Sequence, residues 1–141
     1  MRVNELAEQL NITADTVRYY TRIDLLKPVK NQENGYKDYT LTEKKRLIFI
    51  LKAKNLGFTI SEILQIIDMS THGKSPCCEV RKLVNHHIIE TQQKINELQK
   101  QQKYMQQATL AWESMPDSMP DGDSVCELIE LWDTIDVCEP V

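Results

Sequence analysis

The sequence predicts a mostly α protein: a winged helix-turn-helix domain over residues 1–70, a hinge and long helix over 71–113, and an acidic C-terminal segment over 114–141. Three observations predict it. Two short helical patterns separated by a tight turn open the chain and run into a hairpin signal. An apolar repeat stepping by four and three follows, with no Pro or Gly between residues 77 and 115. Finally, charge is partitioned along the chain: residues 1–69 hold 11 basic and 9 acidic side chains, 70–110 hold 6 and 3, and 111–141 hold no Lys or Arg and 9 acids. The formal net charge of −4 argues against a nucleic-acid partner, but it comes from the last 31 residues, and the first 110 are net +5. Charge of this kind speaks to partners, not to fold.

Leu6 and Leu10 are i,i+4 partners on a first helix, with Ala7 beside them. Asn11 tolerates the left-handed backbone of a tight turn. Thr13 is a natural N-cap for a second helix, and Asp15 favours its first turn. That helix carries Val17, Arg18, Tyr19, Tyr20 and Arg22, and would take its basic and aromatic side chains into a major groove. Asn34-Gly35 suits a two-residue hairpin turn. The arm after it, with Tyr36, Lys37 and Tyr39, makes a wing suited to phosphate contact. Residues 18–54 hold 10 basic and 4 acidic side chains, the local footprint of a phosphate-backbone binder. The same features also fit a small helical bundle with a solvated basic face.

Two helices with capping boxes come next, Thr40-x-x-Glu43 and Thr59-x-x-Glu62, separated by Gly57 as a left-handed C-cap residue. Leu47, Ile50 and Leu51 have helical spacing, as do Ile60, Ile63, Leu64 and Ile67. From Val84, positions 84, 88, 91, 95, 98, 102, 105, 109 and 112 read Val, Ile, Thr, Ile, Leu, Gln, Met, Thr, Trp, a heptad seam of about four heptads. A helix over 84–112 is about 43 Å long at 1.5 Å per residue. Such a helix needs a second helix to bury its stripe, and no other segment of this chain matches its length.

No apolar run approaches the roughly 18 residues of a membrane span, and the N-terminus lacks an apolar signal core, which together predict a cytoplasmic chain with reduced thiols. The four cysteines are Cys77, Cys78, Cys126 and Cys138, with no CxxC pair. The zinc-ribbon, zinc-finger and thioredoxin spacings are therefore absent, and neither a thiol-disulfide enzyme nor an acid/base triad is indicated.

Several motifs occur in linked order: Val3-Asn4-Glu5-Leu6-Ala7, Thr16-Val17-Arg18-Tyr19-Tyr20, Leu25-Leu26-x-Pro28, Asn34-Gly35-Tyr36-x-x-Tyr39 and Leu56-Gly57-Phe58-Thr59-Ile60-x-Glu62-Ile63. Over residues 1–69 the chain resembles the MerR family of transcription factors, and the following helix continues the likeness. It departs from the family in carrying Asn11 and Asp24 where Gly is usual, Thr21 where Glu is usual, and Lys37 for the wing arginine, which keeps charge but loses the bidentate fork. The resemblance implies a winged helix-turn-helix, a long antiparallel coiled-coil dimerisation helix, and a short C-terminal effector loop and helix. It implies a homodimer on a palindromic operator that activates RNA polymerase at a shared promoter by distorting the DNA. DNA contact is carried over to Arg18, Tyr20, Tyr36 and Lys37, and to Thr16 and Lys54, while Tyr19 and Tyr39 pack between wing and helices.

The resemblance also bears on the cysteines. Cys77-x-Glu79-Val80-Arg81 is similar to the helix-entrance cysteine of relatives that sense divalent metals, and Asp123-Ser124-Val125-Cys126-x-Leu128-Ile129 is similar to the second cysteine of their metal loop. Cys77 and Cys126 are the implied ligands, with Cys78 and Cys138 as third or fourth. The effector would then be a divalent ion of the Zn, Cd or Pb kind, since thiolates suit soft and borderline metals. The loop's first cysteine is missing; Asp117 stands at its place, and Cys78, Cys138 or an Asp would have to replace it. The alternative keeps the DNA reader and makes the thiols sensors of oxidants or electrophiles, with basic Lys74 and Arg81 nearby favouring thiolate. His72, His86 and His87 are read as solvated or seam residues, with an auxiliary ligand role as the other option. The C-terminal segment is too short to enclose a sizeable apolar ligand.

Overall fold

The computed structural model describes residues 1–133, so Cys138 lies outside the described residues. The elements run α1 (Val3–Gln9), α2 (Ala14–Arg22), β1 (Val29–Lys30), β2 (Lys37–Asp38), α3 (Leu41–Asn55), α4 (Ile60–Thr71), α5 (Cys77–Trp112) and α6 (Glu127–Glu130). The chain divides into two compact units, Met1–Ile88 and a second beginning at Ile89.

In the first unit, the four helices before α5 all stop in the same way. After α1, Asn11 takes φ 55° and the Ile12 and Asn11 amides donate to Ala7 and Glu8 carbonyls. Asp24 (φ 64°) ends α2, with Leu25 and Asp24 amides on Tyr20 and Thr21. Gly57 and Gly73 do the same for α3 and α4. These are Schellman ends, and at α2 and α3 the residue after the left-handed position turns inward, Leu25 and Phe58 each being 3 % exposed. The helix starts are equally local. Thr13 Oγ1 accepts the Thr16 amide at 3.2 Å, and Glu43 accepts the Thr40 amide at 3.1 Å. At α4 the box is reciprocal, with Thr59 N–H donating to Glu62 at 2.8 Å and Glu62 N–H to Thr59 Oγ1 at 3.1 Å.

The core joins Leu6 and Ala7 of α1, Val17 and Tyr20 of α2, Leu25, Leu26 and Tyr39, Leu47, Ile50 and Ala53 of α3, Phe58, and Ile63 and Ile66 of α4. Ile66 takes the inward place on α4 and Leu64, expected on the apolar face, is exposed. The wing pairs Val29 with Asp38 and Lys30 with Lys37, antiparallel. Its turn is longer than the two residues expected. The Asn31 amide donates to the Tyr36 carbonyl at 2.7 Å and encloses residues 32–35, and only Gly35 has a positive φ. A two-residue type I′ turn needs both central residues there, and Asn34 instead uses its side chain to accept the Tyr36 amide.

The start of α5 belongs to this unit. Val80, Leu83 and Val84 pack against its core, so Val84 is a head residue and not the first position of a free seam. His87, one turn further, is not solvated either. Its Nε2 lies 2.7 Å from Glu62 Oε1, with the two side chains 16 % and 17 % exposed. Burial raises the Glu62 carboxyl, but hydrogen bonds from Thr59 and His87, together with the His87 charge, outweigh it and hold the pKa below the usual range.

In the second unit α5 continues to Trp112, giving 36 residues in all, or about 54 Å. Its expected seam residues Ile88, Ile95, Leu98 and Met105 are 60, 43, 64 and 58 % exposed in the single chain. Trp112 Nε1–H donates to the Leu128 carbonyl at 2.8 Å and ties α6 to the end of α5.

Two predictions concern stability. Asn11→Gly and Asp24→Gly are each expected to raise it by about 0.5–1 kcal/mol, because a non-glycine left-handed residue costs more than the extra chain entropy of Gly; urea midpoints will measure this, and a loss in either variant contradicts the cap assignment. The lowered Glu62 value means its contribution is present above the ordinary glutamate range and disappears as pH falls through the native value. Glu62→Gln is therefore expected to flatten the acid limb of the stability–pH curve; an acid limb parallel to that of the parent would contradict this.

Candidate DNA-reading face and thiol sites

On α2, Val17 and Tyr20 point inward, one turn apart, while Arg18, Tyr19 and Arg22 lie on the outer side. Helix phase thus reverses the expectation for the two tyrosines. Tyr20 is only 6 % exposed, and its hydroxyl pKa is raised by burial and then by Tyr19, so its ring is core. Tyr19 is 41 % exposed, with the Arg22 guanidinium 5.9 Å from its ring. Tyr39 packs as expected, 1 % exposed. Thr21 Oγ1 donates to the Val17 carbonyl at 2.9 Å, so it receives the Tyr39 hydroxyl at 2.7 Å. The residue that replaces the usual Glu therefore anchors the end of the wing to α2.

Three of the expected DNA-contact residues come together. Arg18, Tyr36 and Lys37 line one open cleft of about 740 Å³, joined by Arg2, Asn4 and Arg22. The Arg2 guanidinium sits 4.2 Å from the centre of the exposed Tyr36 ring, a cation–π contact. Sequence reading missed Arg2. The start of the chain is held beside the wing by long-range pairings: the Tyr39 amide with the Met1 carbonyl, and the Met1 nitrogen with Asp38 and the Tyr39 carbonyl. Arg18 is held at 2.9 Å by Asp15, with both side chains largely exposed. Such an exposed pair contributes little and yields readily to a phosphate. The other expected residues lie elsewhere. Thr16 Oγ1 is 2.8 Å from Thr13 Oγ1 at the cap, and Lys54 is exposed in the last turn of α3.

Cys77 is the first residue of α5; it and Cys78 are exposed and not in disulfides. Cys126 is the N-cap of α6 and partly exposed. Its amide and that of Val125 both donate to Glu130 Oε1, at 2.7 and 2.6 Å. Asp121 accepts the Ser124 and Asp123 amides and the Ser124 hydroxyl, and these bonds lower its pKa. His72 caps α4, with Nδ1 2.8 Å from the Asp68 carbonyl oxygen. Among the described residues of the single chain, no three His, Cys, Asp or Glu side chains gather as a metal site. No helix among them is long and apolar enough to cross a membrane.

Comparison with known proteins agrees with this geometry. The family described as "MerR HTH family regulatory protein" matches residues 1–70, and "MerR, DNA binding" matches residues 44–108. A probable heavy metal-dependent transcriptional regulator of Haemophilus influenzae is 31 % identical over 106 residues, 75 % of this chain and 83 % of that protein. The HTH-type transcriptional regulator ZntR of Escherichia coli is 31 % identical over 74 % of this chain and 75 % of its own. Among solved structures, the transcription regulator PbrR691 from Ralstonia metallidurans, in complex with lead(II), is 26 % identical with a TM-score of 0.69, covering 93 % of this chain and 98 % of that one. The relatives are regulators and not enzymes, and this chain belongs to the MerR family of DNA-binding transcriptional regulators.

Proposed function

We propose that the protein is a cytoplasmic, homodimeric activator that responds to a divalent metal ion through cysteine thiolates and acts on RNA polymerase by distorting promoter DNA. The observation that carries this reading is the pair of exposed thiols at Cys77 and Cys78, placed at the first turn of a helix whose apolar stripe has no partner within the described residues. Relatives named for heavy-metal dependence, and the lead complex of PbrR691, support the effector class.

In solution the α5 stripe pairs with its copy in a second chain, antiparallel; covering what remains exposed of Ile88, Ile95, Leu98 and Met105 is worth about 1 kcal/mol each. Each dimer then presents two basic clefts to a palindromic operator. Lys37, Arg18, Arg2 and Arg22 contact phosphate, and Tyr36, steadied by Arg2, lies along the backbone. Thr16 and Lys54 are further contacts outside this cleft, and Tyr20 supports the face from the core beneath α2. Cys77 of one protomer and Cys126 of its partner hold the ion, with Cys78 and Cys138 as further ligands. The donor chemistry fits: the described thiols are free of disulfides, and sulfur suits Zn, Cd or Pb. A bound ion supplies a cross-link between protomers, which is a stable geometric signal. The exposure of both Cys77 and Cys78 also supports a second reading, in which the same thiols react with oxidants or electrophiles.

Two tests follow from this. Lys37→Ala and Arg18→Ala are each expected to weaken operator binding across sequences, and to lower the slope of log affinity against log salt by about one, as loss of a phosphate contact does; unchanged slopes place DNA on another face. Reduced protein dialysed against Zn, Cd, Pb, Co, Ni and Cu(I) is expected to retain at least one divalent ion, and Cys77→Ser to lose at least tenfold in affinity for it and to lose induction. Equal induction by the serine variant rules out sensing through this thiol, and covalent adducts without bound metal in mass spectra favour the second reading.

A further inference from the structure

The contact between α5 and the rest of the first unit includes a directional element. Val80, Leu83, Val84 and His87 follow one another at helical spacing on a single face of α5. The first three are apolar and pack against the core, where the contact is set by shape and not by a donor and an acceptor. The fourth is different. His87 Nε2 meets Glu62 Oε1 at 2.7 Å, and the ring centre lies 5.9 Å from that of Phe58. A hydrogen bond of this length is lost once the partners separate much beyond 3.5 Å. The same Glu62 oxygen accepts the Thr59 amide and closes the box that starts α4, while Phe58 is the inward residue of the α3 end. His87 therefore reads the position of two head helices at once. Both side chains are more than four-fifths buried, so water replaces the bond poorly when it breaks. His87 lies ten residues along the same rigid helix from Cys77.

We propose that His87 is a positioning residue. Through Glu62 it fixes where the first turns of α5 sit against α4, and this bond is the joint by which effector occupancy reaches the DNA-reading head. The proposal rests on the effector-responsive reading above and adds the site of transmission. The Phe58 contact selects the ring position, and the Glu62 bond selects the register. A ligand acting at Cys77 shifts a head only by shifting a contact that has a preferred position. The three apolar neighbours supply affinity between α5 and the head, with a fit set by packing and not by a single bond.

The test uses the full-length dimer on an operator duplex recovered by selection from a random pool and labelled at both ends for energy transfer. Transfer efficiency is read without metal and with Zn(II), Cd(II) or Pb(II). His87→Leu is expected to cut the metal-dependent change at least fivefold and to alter the metal-free efficiency, with operator Kd held within threefold and the dimer intact. His87→Gln, which keeps an N–H of similar reach, is expected to retain most of the change. Glu62→Gln combined with His87→Leu is expected to do no more than His87→Leu alone. Leu and Gln variants that behave alike, or losses that add in the double variant, overturn the proposal, as does a Leu variant that keeps the full response. If none of the three metals moves the parent protein, the metal reading fails on its own. The metal-free efficiencies of the same four proteins then decide the joint, and equality of all four overturns it.

Discussion

The burial of the first turns of α5 is the constraint on which the other features depend. Val80, Leu83 and Val84 complete a core otherwise built from α1 to α4, so this helix is part of the head before it is anything else. A continuous α-helix keeps its residues in fixed angular relation, because each turn is bonded to the next. The packing of those few residues therefore fixes the first turns of α5 within the first unit, and it sets the place of Cys77 at the helix entrance. The unburied stripe follows from the same division of labour. Near the head the helix finds partners within its own chain, and further on Ile95, Leu98 and Met105 remain exposed among the described residues.

The basic face depends on a second arrangement, in which distant segments support one another. Tyr39 is buried to its hydroxyl and bonded to Thr21, which fixes the end of β2 on α2. The Tyr39 amide pairs with the Met1 carbonyl, and that brings Arg2 over Tyr36. The cations at Arg2, Arg18, Arg22 and Lys37 thus come from three stretches of sequence and stand around one cleft because a buried tyrosine holds the stretches together. Their mutual repulsion is a cost of the unbound state, and under the proposed reading a phosphate backbone removes it.

What the sequence made legible was the chemistry confined to a few neighbouring residues. Asn11, Asp24 and Gly57 could be placed in left-handed turns because few residue types tolerate that backbone, and both capping boxes announced themselves by spacing. The Tyr19-Tyr20 pair was harder. Adjacent residues on a helix differ by about 100° in direction, and either could have faced the core until the partner helices were in place. Asn34-Gly35 suggested a shorter turn than forms, since the Asn34 side chain can hold the Tyr36 amide without a positive φ of its own. His87 and Arg2 were illegible for a common reason. Their partners, Glu62 and Tyr36, lie 25 and 34 residues away, and no periodicity reports a contact of that range.

The acidic C-terminal segment illustrates how structure changes the meaning of a charge run. Nine acids and no bases suggest a reservoir of oxygen ligands around Cys126, able to replace a missing thiol. Two of those acids have structural work. Asp121 gathers the amides of Asp123 and Ser124, and one oxygen of Glu130 takes the amides of Val125 and Cys126. In each of these carboxylates one oxygen is occupied by two backbone amides. These acids shape the backbone on which Cys126 is carried, and the trapped amide of Cys126 leaves its sulfur as the group this turn offers. Under the proposed reading the loop contributes the Cys126 sulfur, which favours the softer members of the divalent series over ions that prefer an all-oxygen shell.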